Sequence, residues 1–231
     1  MQTFQTVEVL GDSVLKGIIL DEKNGKYRPL VENCAAMVQK CLGISIINRS
    51  CFGCTVEKGN RLLERELKKG LKCDMVLLEF GGNDCDFDWK EVSAAPEKNH
   101  LPRTALNQFI KTMTTMVHAL QKNGIRPILM SLPPVDGARY FQFLTKIGMN
   151  RENLLHFLGD TNMISRFHES YSLAVTRLAQ ELQCLYVPIR EAFLSNFCYG
   201  NLMCADGIHP SREGHVLMKQ VFLDAAAAAV L

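Results

Sequence analysis

Four short stretches of the chain carry the residue types that acyl transfer from a serine requires. That reaction needs a nucleophilic hydroxyl, a base in hydrogen-bond reach, a group that orients the base, and donors for the tetrahedral oxyanion. Gly11-Asp12-Ser13 closes the apolar run Val7–Leu10. A strand that ends in Gly-x-Ser and turns into a helix exposes a hydroxyl. Asp206 and His209 stand three apart before Pro210. That spacing lets the carboxylate reach Nδ1 of the imidazole while Nε2 faces Ser13, fixing the tautomer and stabilising the imidazolium. Asn83, in Gly81-Gly82-Asn83-Asp84, can donate its side-chain amide to an oxyanion. Gly53 lacks a side chain, so its backbone N–H can approach a reacting oxygen closely; the Ser13 N–H is the third donor. Each stretch alone has an ordinary reading. Gly, Asp, Asn and Ser are turn residues, and Asp-x-x-His also suits a capped helix N-terminus.

The elements that must position these residues give an independent check. Apolar runs at Val7–Leu10, Ile44–Ile47, Met75–Phe80, Ile128–Met130 and Leu185–Ile189 are each bounded by turn residues, Gly or Pro. Amphipathic stretches lie between them. Leu30, Val31, Cys34, Met37, Val38 and Cys41 recur at helical spacing, as do Leu106, Phe109, Ile110, Met113, Val117 and Leu120, with Asn123-Gly124 closing the latter. A final helix starts at Ser211 as N-cap and runs through Leu217, Val221 and Phe222 into an alanine tail. Alternating strand and helix predicts a parallel sheet covered on both faces, with ligands beyond the carboxyl ends of the strands. All the candidate residues fall just after apolar runs, Asp206 and His209 past a further loop. One segment, about residues 135–161, breaks the rhythm. It is too apolar for disorder, through Tyr140, Phe141, Phe143, Leu144, Ile147, Leu154, Leu155, Phe157 and Leu158. It reads as two short helices, the second capped by Asn150 and ended by Gly159, forming a lid or one pocket wall over the chemical edge.

Taken together, the four blocks make the sequence similar to the SGNH hydrolases, also called the GDSL esterase/lipase family. Gly11-Asp12-Ser13 resembles the first block of that family, Asn48 to Gly53 the second, Gly81-Gly82-Asn83-Asp84 the third and Asp206 to His209 the last. The resemblance runs almost end to end. It implies a flavodoxin-like three-layer α/β/α sandwich, with a five-stranded parallel sheet of order 2-1-3-4-5. It also implies ester hydrolysis through an acyl-enzyme on Ser13, with Asp206 and His209 completing the triad and Ser13, Gly53 and Asn83 forming the oxyanion hole. Val14-Leu15 departs from the Ile/Val-Thr often seen after the serine, the second block carries flanking cysteines, and the insertion after the fourth strand is extra. No cofactor or metal is expected.

Composition bounds the rest. The 231 residues suit one domain, expected to span 1–231 with the insertion inside it. A net charge of +2 with 22% charged residues gives no nucleic-acid face, and no apolar run is long enough to span a membrane. Nine cysteines, an odd number, argue for reduced thiols, and the N-terminus lacks a leader pattern; a cytoplasmic location is expected, unless a leader has been removed. Cys51 and Cys54 form C-x-x-C, but without a second such pair they read as small apolar loop residues, with Cys85 and Cys204 at the same edge. Among the histidines, His118 is expected in solvent and His215 in the first turn of the last helix. Substrate contact is open to His100, His156 and His168. Arg49 reads as a surface ion-pair residue. Asp84, Asp86 and Asp88 with Trp89 make either a solvated turn or a rim that recognises polar groups. The expected substrate pocket comprises Asp84, Trp89, Tyr140 and Phe141.

The expected substrate is a small-molecule carboxylic ester, of short acyl or acetylated-carbohydrate type. An acyltransferase with the same triad and a catalytically silent binding protein of the same fold are the alternatives. The intact set Ser13, Gly53, Asn83, Asp206 and His209 argues against the second. Asp12 is expected to shape the turn that aims Ser13.

Overall fold

The computed structural model describes residues 4–230; Met1–Thr3 and Leu231, the ends of the expected single domain, lie outside the described residues. From β1 (Thr6–Leu10) the chain turns through the short α1 (Ser13–Lys16) into a hairpin, β2 (Ile18–Asp21) and β3 (Lys26–Pro29). Then follow α2 (Cys34–Leu42), β4 (Ser45–Asn48), α3 (Val56–Lys68), β5 (Met75–Leu78), α4 (Trp89–Ala94), α5 (Leu106–Lys122) and β6 (Arg126–Met130). The remainder comprises α6 (Gly137–Lys146), α7 (Arg151–Leu158), α8 (Asn162–Glu181), β7 (Leu185–Val187), α9 (Ile189–Leu194), a 3₁₀ turn at Tyr199–Leu202, and α10 (Arg212–Val230).

The principal sheet is parallel with order β4-β1-β5-β6-β7. Counted among its own strands this is 2-1-3-4-5. Successive strand side chains point to opposite faces, so the sheet supplies two cores. Leu10, Val76, Leu78 and Leu129 pack against Leu63 of α3, Met113, Met116 and Leu120 of α5, and Val175 and Leu178 of α8. Val9, Leu77, Met130 and Val187 pack against Leu15, Cys34, Met218 and Val221 from the other side. Among the described residues, no helix is long and apolar enough to cross a membrane.

Three local readings change. Leu30 and Val31 are not helical: Asn33 caps α2 by accepting from the Ala36 N–H, and Val31 is exposed. Leu30 instead packs with Ile19, Leu20 and Cys204. The runs 75–80 and 185–189 are longer than the strands within them, because Glu79 and Phe80 belong to the loop edge and Pro188 starts α9. The antiparallel hairpin was not anticipated; its signal is Asn24-Gly25, with Gly25 at φ +65. The insertion forms the two expected helices. Asn150 accepts from the Asn153 N–H, and Gly159 ends α7 at φ +74.

Candidate active site

The nucleophile turn is built by caps on both sides. Asp12 is the N-cap of α1, its Oδ1 accepting from the Val14 N–H at 2.8 Å, and Gly17 ends that single turn at φ +76. Ser13 is therefore the first helical residue after β1. Asn48 at the end of β4 braces the turn from the neighbouring loop, its Nδ2 donating to Leu15 O at 2.7 Å. Arg49 is more than a surface residue: its guanidinium grips buried Glu8 of β1 at 2.6 Å and reaches Glu66 of α3 at 3.5 Å.

His209 arrives on the loop before α10. Gly207 holds φ +76, and a Cβ there would stand 2.6 Å from Asp136 O, so only glycine lets this loop pass the start of α6. The Met203–Pro210 bridge and the Cys204 N–H to His209 O bond, 2.8 Å, close it. Asp206 Oδ2 meets His209 Nδ1 at 2.6 Å, while Oδ1 accepts from the backbone N–H groups of Ile208 and His209 at 3.1 and 3.2 Å. His209 Nε2 stands 2.9 Å from Ser13 Oγ. All three side chains are buried. Burial alone would raise the Asp206 carboxyl, but the hydrogen bond and charge of His209 hold it below the usual carboxylate range.

A second polar chain runs behind the serine. Asn83 Nδ2 donates to Asp12 Oδ2 at 2.8 Å, and the Asp12 N–H donates to Glu79 Oε2 at 3.0 Å. Both carboxyls are buried, Asp12 to 2% exposure and Glu79 to 1%. Burial raises each, and the charge of Asp12 pushes Glu79 further up. Of the two, Glu79 holds its proton the more tightly, and both Asp12 oxygens accept from N–H groups. A carboxylate accepts only, so the Asn83 amide must face it nitrogen-first. Its second N–H is left for the cavity that Asn83 lines.

That cavity together with its solvent-open mouth takes up about 710 Å³. Ser13, Asn83 and His209 border it, with Phe87, Trp89, Leu132, Val135, Tyr140 and Ile164 among its walls. Trp89 Nε1 donates to Asp86 Oδ1 at 2.7 Å and the Tyr140 hydroxyl to Asp86 Oδ2 at 3.1 Å, so these polar tips are turned onto each other. Two expected pocket residues belong elsewhere. Asp84 is fully buried and accepts from the Val56 N–H at 3.0 Å, capping α3; burial raises its carboxyl to about 6. Phe141 packs inside the insertion, with Arg151 5.0 Å over its ring. Gly53 does not border the cavity. It sits in the turn closed by the Cys54 N–H to Cys51 O bond, at φ +66, beside Phe52, whose ring stacks on His209 at 6.2 Å.

Several neighbours were not anticipated. Tyr27, from the unforeseen hairpin, lies edge-on to His209 at 5.1 Å between ring centroids. Glu79 was hidden inside an apolar run. His168 borders the cavity, whereas His100 bonds Ala95 O and both His118 and His156 are exposed. His215 is buried, its Nδ1 accepting from the Cys34 N–H at 3.4 Å. Burial and the Cys51 thiol raise Cys54, so it is no thiolate at neutral pH. Among the described residues no group of three or more His, Cys, Asp or Glu is placed to hold a metal.

The chain has similar proteins of known sequence and fold. The chain is 26% identical over 174 residues to GDSL esterase/lipase CPRD49 of Arabidopsis thaliana, covering 73% of this chain and 61% of that protein's length. It superposes on the lipase/acylhydrolase of Enterococcus faecalis with TM-score 0.68 at 18% identity, over 95% of this chain and 94% of the other. A variant of Axe2, an acetyl-xylooligosaccharide esterase from Geobacillus Stearmophilus, superposes with TM-score 0.60 at 21% identity, over 96% and 93%. Those two likenesses establish the fold. The sequence model of the GDSL-like lipase/acylhydrolase family matches residues 9–217, a span holding every block from Ser13 to His209, and the chain belongs to that family.

Proposed function

We propose that the chain hydrolyses esters of short to medium aliphatic acids through an acyl-enzyme on Ser13. The observation that carries this reading is the unbroken contact from Asp206 through His209 to Ser13 Oγ, 2.6 and 2.9 Å long. His209 takes the hydroxyl proton as Ser13 attacks the ester carbonyl. Asp206 stabilises the imidazolium that forms. The Ser13 N–H and the free Asn83 amide hydrogen hold the oxyanion, while Gly53 lies outside the cavity lining. His209 then protonates the leaving alkoxide, and water repeats the cycle on the acyl-enzyme. The cavity suits an acyl chain better than a sugar, because the polar tips of Trp89 and Tyr140 are already taken by Asp86.

Replacing Ser13→Ala tests the mechanism. Hydrolysis of p-nitrophenyl butyrate and stoichiometric labelling by a fluorophosphonate are both expected to vanish while the thermal melt is unchanged. Substantial residual turnover in the folded variant would remove Ser13 from the role.

A further inference from the structure

The cavity wall includes a polar side chain that neither the triad nor the oxyanion hole uses. His168, on α8, borders the cavity and is 5% exposed. Its Nδ1 faces Arg190 Nη1 at 3.4 Å. Arg190 is itself buried, and is held by Glu169 Oε1 at 2.9 Å from Nη2 and by Leu132 O at 3.5 Å from Nη1. A guanidinium has donors only, so the imidazole nitrogen facing it must be the acceptor. The ring proton is thereby fixed on Nε2. Burial and the Arg190 charge drive the imidazole down to about 3, so the ring stays neutral at neutral pH. Nε2 makes no hydrogen bond to protein among the described residues, and it is not one of the fully buried unpartnered atoms, so it is open to the cavity that the ring borders. Asp86, the other polar wall residue nearby, is already engaged by Trp89 and Tyr140.

We propose that His168 is a specificity-determining donor of the acyl cavity, and that it selects esters whose acyl chain carries an acceptor oxygen, as an ether, ketone or hydroxyl. The Glu169–Arg190 pair fixes the tautomer from behind, and Nε2–H offers the cavity a directional donor away from Ser13. The inference rests on the reading of this cavity as the acyl site.

The test compares p-nitrophenyl hexanoate with isosteric esters in which an ether oxygen or a ketone replaces successive methylenes. Wild type is expected to favour the oxygenated ester at one chain position by about tenfold in kcat/KM, the worth of a neutral hydrogen bond. His168→Phe, which keeps the ring but has no donor, is expected to lose that preference. His168→Gln, whose amide can accept from Arg190 and donate into the cavity, is expected to keep part of it. Wild type that hydrolyses hexanoate with no preference at any position overturns the inference and leaves the esterase reading standing. So does a His168→Phe variant with the wild-type preference. Wild type inactive on every ester in the series overturns both.

Discussion

Asn83 can donate to an oxyanion only while its amide is held nitrogen-first, and the Asp12 carboxyl holds it so through a 2.8 Å bond. Asp12 has a second task, since the same carboxylate caps α1 and so aims Ser13. One buried side chain thus orients both Ser13 and Asn83, the proposed nucleophile and oxyanion donor. Removing the donor leaves the rest of the site in place, so Asn83→Ala is expected to lower kcat by about 10²–10³ with little change in KM. Steady-state kinetics on p-nitrophenyl butyrate decide it; a loss confined to KM would make Asn83 a ground-state binding residue. At this scale the meeting of Ser13, Asp206 and His209 was legible, because the proposed roles demand particular residue types just after strands. Asp12 was readable only as a turn former, because its partner Asn83 lies seventy-one positions away in sequence. Glu79 was invisible, as a single acid at the end of Met75–Phe80 looks like part of a strand. His168 was open to substrate contact along with His100 and His156, but nothing in the sequence set it apart: what makes it polar towards the cavity is Arg190, brought to it by α9.

At the scale of elements, the turns and caps were the legible part. Asn150, Gly159 and Ser211 do what their types suggest, Ser211 Oγ accepting from the Gly214 N–H at 3.2 Å. Helical spacing misled at Leu30 and Val31, where Pro29 and the Asn33 cap delay α2 and burial in a satellite cluster outranks periodicity. The pairing of α2 with α10 was not legible, because it depends on a contact between distant helices. His215 of α10 accepts from the first N–H of α2 while fully buried, with Nε2 unpartnered. Burial, then the nearby charge of His209, lowers its imidazole from 6.5 to about 4. The unfolded chain therefore binds this proton first as pH falls. The stability that neutral His215 contributes is complete above about pH 6.5 and is lost as pH approaches 4. Between pH 7 and 4.5 the loss from this residue is about 2–3 kcal/mol. Urea unfolding at several pH values measures it, and His215→Gln is expected to flatten that dependence. An equally steep slope in the variant would place the acid sensitivity elsewhere.

The whole molecule joins two cores on the sheet to a third built over its chemical edge. That third cluster contains Phe87 and Trp89 from the loop and helix after β5, Tyr140, Phe141, Leu144, Leu154 and Leu158 from α6 and α7, and Ile164 from α8. Polar ties fasten the same insertion at both ends. Asn150 N and Asn153 Nδ2 donate to Ser93 of α4 at 2.7 Å each, the Asp136 N–H donates to Gly207 O at 2.9 Å, and Arg139 Nη1 donates to Gly200 O at 2.7 Å. Sequence apolarity indicated that residues 135–161 are ordered and packed, but not whether they move. The contacts favour a fixed wall: to open, α6 and α7 must expose the aromatic cluster and release the loop that carries Asp206 and His209. Local opening of a segment with so much buried apolar surface costs nearly as much as global unfolding. Amide hydrogen exchange is therefore expected to give α6 and α7 opening free energies within about 2 kcal/mol of those of α5, which crosses the central core. Exchange through α6 and α7 that is faster by several further factors of ten, with α5 protected, would instead identify a lid that opens while the sheet and triad scaffold stay folded.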